Sequence, residues 1–233
     1  MLACIPALIT LPKRFGIPIA LCASVALILT GCRGSYIGYF FQLLLLVAVL
    51  YKFLEPKLKK MFATIVAGVG AFIFCFMMSV SALRARIISI FAMRSDSSNS
   101  FRFNVYHSSV DMFKDNWLLG IGVGNQNFRE IYGLYMKTGF DALSAYNIFL
   151  EIAVESGLFA LIAFVGFLIT LIKNSVKFIL KSADTKSVIF AATALISICA
   201  VCIHGLVDTV FFRPQIQFVF WTMVAIARTI VVE

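Results

Sequence analysis

Three short stretches of this chain put charged groups inside or beside apolar runs, where an unpaired charge costs several kcal/mol in a membrane. The first is Arg33, in Thr30-Gly-Cys-Arg33-Gly-Ser35. A guanidinium is a planar fork of donors that suits carboxylate or phosphate. Glycines on both sides leave room for a ligand or a second backbone to come close. The plainer reading is an arginine at a hairpin turn with its head in water. The second stretch holds Asn147, Glu151 and Glu155, spaced i, i+4, i+8. That spacing makes one polar stripe on an otherwise apolar helix. The stripe fits hydrogen bonding between helices, or carboxylates that orient nearby arginines. The third is Asp208-Thr-Val-Phe-Phe-Arg213-Pro214. Pro214 suits the first turn of a helix, and an Asp208–Arg213 pair is expected to fix the turn before it. His204, one turn below Asp208, reads as a packed core histidine.

Other chemistry is not signalled. His107 and His204 are far apart in sequence, without carboxylates at ligand spacing, and point to no metal site. No Walker A loop is present, and no cofactor is expected. Five of the six cysteines, Cys4, Cys22, Cys75, Cys199 and Cys202, lie within apolar runs, and Cys32 ends one. There cysteine behaves as a small hydrophobe, with no disulfide framework implied. Cys199-Ala-Val-Cys202-Ile-His204 resembles a haem attachment motif, but its histidine comes one residue late. It reads as helix packing.

The elements that must position these groups are membrane helices. Hydrophobic residues make up 61% of the 233, charged residues only 13%, and mean hydropathy is +0.98. A soluble chain has about 45–50% apolar and about 25% charged residues. The net charge of +9 does not gather on a polar domain, so nucleic acid is not the expected partner. A span needs roughly 20 apolar residues. Six windows qualify: 16–32, 34–54, 61–83, 147–172, 187–210 and 214–231. The expected fold is an all-α, polytopic bundle of about six spans, one membrane domain over 1–233. Met1–Leu11 reads as the tail of an earlier helix, as though N-terminal helices were missing. No cleavable signal peptide is indicated.

Lysine and arginine sort by side. Lys13 and Arg14, the Lys52–Lys60 group and the Lys173–Lys186 group place their links in the cytoplasm by the positive-inside rule. The 32–35 turn, the 84–146 loop and the turn near 211–214 then lie outside. Nine lysines and two arginines fall inside, against seven arginines and two lysines outside. Outside arginine runs against the topology preference, so either an anionic ligand or pairing with acids such as Asp96, Asp111 and Glu130 must account for it. The 84–146 loop is too long for a bare connector. Within it, Arg84–Met93 is amphipathic and suits the interface, and Asp96–Ser100 reads as a turn that caps the next helix. Residues 101–117 show helical spacing, with Phe103, Tyr106, Val110, Phe113 and Trp117 on one face. Gly120, Gly122 and Gly124 suit a tight loop with close backbone approach.

Taken in order, Cys-Arg33-Gly-Ser, Asn-Ser-Phe-Arg102-Phe-Asn-Val-Tyr, Trp-Leu-Leu-Gly-Ile-Gly-Val-Gly-Asn and Tyr146-Asn147-Ile-Phe-Leu-Glu151-Ile-Ala-Val-Glu155-Ser-Gly resemble the O-antigen ligase/Wzy-type polymerase superfamily over roughly residues 16–230. The resemblance implies a multi-pass protein of the bacterial inner membrane. It implies a glycosyltransferase that moves glycan from an undecaprenyl-diphosphate carrier to a glycan or lipid acceptor at the periplasmic face, without metal or nucleotide. Arg33 and Arg102 would hold the diphosphate, with Asn147, Glu151, Glu155 and Arg213 around the substrate. The family's acceptor-activating histidine is replaced here by Tyr146, and His107 is the other candidate for that step. The Tyr146 variant and the ending around Asp208–Gln217 are similar to a branch described as putative inorganic-carbon transporters. That branch supplies a second reading, a bicarbonate transporter or transport accessory. An inactive membrane scaffold is a third.

Overall fold

The computed structural model describes residues 11–91 and 97–232. Among them there is no strand, and the helices are α1 (Lys13–Leu29), α2 (Arg33–Phe53), α3 (Pro56–Ser79), α4 (Ser81–Phe91), α5 (Ser97–Asp115), α6 (Asn125–Tyr132), α7 (Ile148–Lys181), α8 (Thr185–His204) and α9 (Pro214–Val232), with a 3-10 turn at Val210–Phe212. The all-α expectation holds. Each of the six windows contains a helix. Of these, α2, α3, α7 and α8 are long and apolar enough to cross a membrane. The tail at Met1–Thr10, and Arg94 and Asp96, lie outside the described residues.

Local chemistry sets several boundaries. Pro56 opens α3 after Glu55, where its missing N–H is one of the helix's orphan donors. Asp184 caps α8 by accepting from Lys186 N and Ser187 N, both at 3.2 Å. Gly205 follows His204 and closes α8, earlier than the window to 210 suggests. The serines at 97–100 are the first turn of α5, not a turn before it.

Helix α7 runs 34 residues, about 51 Å at the usual rise, well over the roughly 30 Å of hydrocarbon. It is broken at Gly157, with φ 79° and ψ −178°. Residues 148–156 form a short helix, and 158–181 form a span of ordinary length. Lys173, Lys177 and Lys181 extend it past the apolar window, their stems covering apolar surface while the heads reach water.

Helix α8 is the centre of the bundle, packing on α2, α7 and α9. Its Ala191, Ala192, Ala194, Ser197 and Ala200 are buried, and small residues let membrane helices approach closely. The main core joins Ile148, Leu168, Ile198, Val201, Phe211 and Phe220 from α7, α8, the 3-10 turn and α9. A second core belongs to the 84–146 segment: Val105, Met112, Phe128, Tyr132 and Ala145 close over Val154. That segment is therefore a packed cap. The helix predicted over 101–117 is present, but its buried side is Val105, Ser108, Ser109 and Met112. Small serines allow that contact, and Ser108 Oγ donates to the Tyr135 carbonyl at 2.9 Å. The aromatic face with Phe103 and Tyr106 is left for another use.

Candidate functional site

That face lines a cavity of about 180 Å³ with Arg33, Gly34, Ile37, Asn99, Arg102 and Val207. Arg33 opens α2 and Arg102 lies on α5, so two helices distant in sequence bring the two arginines to the lining of one cavity. Arg33 donates to the Ser89 carbonyl at 3.1 Å, and Asn99 donates to the same oxygen at 3.1 Å. This ties the start of α2 to α4 and α5. Arg102 donates to Ser98 Oγ at 2.9 Å. Its Nε is buried and has no hydrogen-bond partner among the described residues. A buried, unmatched N–H on a cation is costly, and an anionic oxygen would satisfy it. Among the described residues, no carboxylate lines the cavity.

Tyr146 stands behind Arg102, whose guanidinium carbon lies 6.0 Å from the ring centroid. Phe101 meets the same ring edge-on at 5.6 Å. Tyr146 has φ 50°, uncommon for a bulky side chain. Burial holds its phenol above the ordinary range, against the opposing charge of Arg102. It therefore stays protonated at neutral pH. Tyr106 OH lies 3.2 Å from the Tyr146 carbonyl and 3.3 Å from the Leu206 carbonyl, linking α5 to the turns before α7 and after α8.

Asn147 is used twice by the fold. Its Oδ1 accepts from Phe149 N at 3.0 Å and Leu150 N at 3.1 Å, capping α7. Its Nδ2 donates to the Leu206 carbonyl at 3.0 Å. Asn147→Ala removes both interactions and is expected to cost about 1–3 kcal/mol. Asn147→Asp keeps the cap and loses the donation, so its thermal midpoint should fall between wild type and alanine. The same midpoint for Asp and Ala would remove the bridging role.

The alternating glycines clamp the broken helix. The break at Gly157 frees carbonyls of the turn before it, and Ile121 N donates to Val154 O at 2.9 Å and Gly122 N to Glu155 O at 3.0 Å. In return Leu158 N donates to Trp117 O at 2.8 Å. The close backbone approach expected of these glycines is present, and the partner is α7. The Glu155 side chain completes the clamp by accepting from Gly124 N at 3.2 Å. Glu151 is buried, and its Oε2 has no hydrogen-bond partner among the described residues. Neither glutamate lines the arginine cavity.

The remaining candidates lie apart from it. His107 is exposed on α5 and is not among the lining residues. Arg213 is exposed at the start of α9 and also lies outside the lining. The expected Asp208–Arg213 pair is not formed among the described residues. The 3-10 turn stands between them, and Asp208 Oδ2 faces His204 Nε2 at 3.7 Å. Arg129 is accounted for by Asp141 at 3.1 Å, and Asp111 by Lys114 at 2.8 Å. Both pairs are exposed and worth little.

Sequence reasoning missed a cluster. Cys32 Sγ, His204 Nε2 and Asp208 Oδ2 lie within 4.8 Å of one another. Hydrogen bonding with His204 brings the Cys32 thiol down to about 7, against the effect of burial. Burial raises the Asp208 carboxyl, but His204 and the Thr209 N–H outweigh it and hold the group below its usual value. The i, i+4 spacing of His204 and Asp208 was legible. Cys32, 172 positions earlier, was not.

Comparison with known proteins fits this arrangement. The chain is 26% identical over 183 residues to the teichuronic acid biosynthesis protein TuaE of Bacillus subtilis (strain 168), an alignment covering 75% of this chain and 36% of that relative. The chain thus spans little more than a third of the length of the curated relative it matches. A family model described as O-antigen ligase matches residues 18–165, from within α1 to beyond the break in α7. That match takes in Arg33, Arg102, the glycine clamp and the Asn147–Glu155 stripe, more than half of the chain, and this membrane protein belongs to the O-antigen ligase family.

Proposed function

We propose that this chain carries the carrier-binding part of an O-antigen ligase-type glycosyltransferase in polysaccharide biosynthesis, working at the outer face of the bacterial inner membrane. The observation that carries this reading is the cavity shared by Arg33 and Arg102, with the buried Arg102 Nε lacking a partner among the described residues. The donor is a glycan on undecaprenyl diphosphate, and the acceptor is a hydroxyl of another glycan or a lipid. The acceptor oxygen bonds to the anomeric carbon as the bond from that carbon to the diphosphate oxygen breaks. The acceptor proton passes to water or to the departing diphosphate oxygen, and undecaprenyl diphosphate leaves carrying the electron pair. Two guanidinium groups fixed before the reaction stabilise that developing charge. Tyr146, protonated and with its ring centroid 6.0 Å from the Arg102 guanidinium carbon, serves to orient that arginine and supports the acceptor side as a hydrogen-bond donor. The glycine clamp and the Asn147 cap hold the site rigid.

The test is transfer of labelled glycan from an undecaprenyl-diphosphate donor by membranes containing the full-length protein. Transfer in wild type and its loss in Arg102→Ala supports the reading. Folded protein that transfers nothing with donor and acceptor present overturns it, and uptake of labelled bicarbonate then becomes the assay for the transport reading. Tyr146→Phe is expected to lower transfer by about tenfold or less, because it keeps the ring and loses only a hydroxyl. Loss as complete as that of Arg102→Ala would place the phenol in the proton transfer itself.

A further inference from the structure

We propose that Cys32, His204 and Asp208 form a binding site for a divalent transition-metal ion, zinc by its donor chemistry, with three protein ligands and one open position. The site is separate from the arginine cavity and does not rest on the glycan reading. The donor atoms form a nearly even triangle: Sγ to Nε2 is 3.7 Å, Sγ to Oδ2 is 3.9 Å and Nε2 to Oδ2 is 3.7 Å. Donors of a tetrahedral zinc, at about 2.0–2.3 Å from the ion, stand about 3.3–3.6 Å apart. Small side-chain movements inward would close the triangle onto an ion. As a hydrogen-bonded triad the same arrangement is poor. The His204–Asp208 separation exceeds a good N–H···O distance, and both contacts of His204 converge on the single atom Nε2. One ring nitrogen cannot donate to two partners well, whereas one metal ion can accept from three.

The surroundings hold the donors in place. Cys32 precedes α2 and His204 ends α8, two helices that pack together. Gly34 lets them meet: a Cβ there would stand 2.8 Å from His204 Cδ2 and 3.0 Å from Nε2. Asp208 Oδ1 accepts from Thr209 N at 2.8 Å, which orients Oδ2 toward the other donors as outer hydrogen bonds do in metal sites. Thiolate, imidazole and carboxylate together select zinc and its neighbours, while magnesium and calcium prefer oxygen alone. Arg33 and Val207, each next in sequence to a ligand, line the arginine cavity. A bound ion would therefore add positive charge beside that cavity and pin the α1–α2 turn to the end of α8.

The experiment is cobalt titration of the full-length protein, purified in detergent and freed of metal. The expected result is one cobalt per chain, with the near-ultraviolet thiolate charge-transfer band and the visible bands of tetrahedral coordination, all displaced by zinc. Cys32→Ser should remove the charge-transfer band, while Cys199→Ser and Cys202→Ser keep it. Asp208→Asn should weaken zinc by more than about 100-fold, since even outer-shell changes cost 10–100-fold. Zinc should also raise the thermal midpoint of wild type and not that of Asp208→Asn. Folded wild type without the charge-transfer band, or a band that survives in Cys32→Ser, would overturn the site. If Cys32→Ser does not fold, Asp208→Asn decides: unchanged zinc affinity in that variant rejects the proposal.

Discussion

Arg33→Ala and Arg102→Ala are each expected to lower kcat/KM for a diphosphate-linked glycan donor by about 10²–10³-fold, the range seen when one pre-placed donor to a developing anion is removed. The reason is the shared cavity. Two cations lining one small cavity can act on the same diphosphate under the proposed reading. Their effects should not multiply. With one arginine gone, the carrier is misplaced for the other, so the double variant should fall short of the product of the singles. Lysine replacements separate charge from geometry. Arg102→Lys keeps a charge and loses the planar fork, and should retain more activity than alanine while remaining below wild type. Each variant needs a size-exclusion profile like that of wild type, because Arg33 also joins α2 to Ser89. Full activity in both folded alanine variants would end the shared-diphosphate reading. A double variant equal to the product of the singles would place the arginines on separate anions.

Gly157→Ala is expected to be the most damaging small substitution outside the cavity. At φ 79° and ψ −178° the backbone occupies a region open essentially to glycine alone, costing other residues about 1–3 kcal/mol. The added Cβ would also lie 2.2 Å from the Leu118 carbonyl oxygen and 2.6 Å from its carbon. That neighbour is backbone, pinned by the hydrogen bonds of Ile121 and Gly122 to α7, and it cannot swing aside as a side chain would. Overpacking adds about 1–3 kcal/mol, against a total stability on the order of 5–15 kcal/mol. Gly157→Ala should therefore lower the detergent thermal midpoint sharply or abolish the folded peak. Gly166→Ala, nine residues further along the same helix, meets nothing within 4 Å. It should be neutral or stabilising by up to about 1 kcal/mol, since alanine is the better helix former. Equal midpoints for the two would show that the break at Gly157 is not fixed by the glycine clamp.

Much of this protein is legible in its sequence because membrane insertion acts on local composition. Apolar runs near the hydrocarbon thickness locate the helices, and the helical period places Arg102 on one side of α5 with Phe103 and Tyr106. The alternation of Gly120, Gly122 and Gly124 announces a close backbone contact. Each of these signals is carried by neighbours in the chain.

What only the tertiary structure decided is which distant groups share a space. The pattern over 101–117 does not say that Ser108 and Ser109 turn inward while the aromatic face is left to line a cavity. That choice is made by the packed cap, in which Val105 and Met112 from the same side of α5 join Phe128, Tyr132 and Val154 and Ser108 bonds the Tyr135 carbonyl. The polar stripe of Asn147, Glu151 and Glu155 divides into a helix cap, a buried carboxyl and a clamp because Gly157 breaks the helix just beyond it. Asp208 turns to His204, although Arg213 is the nearest opposite charge in sequence on its own turn. Cys32 joins them through the packing of α2 on α8, across 172 positions that no local period can bridge. Sequence determined the helices and their charged ends, because burial in lipid is a property of each segment. The meeting of Arg33 with Arg102, and of Cys32 with His204 and Asp208, was decided by how the segments pack, because a site made from distant segments exists only once their side chains compete for the same volume.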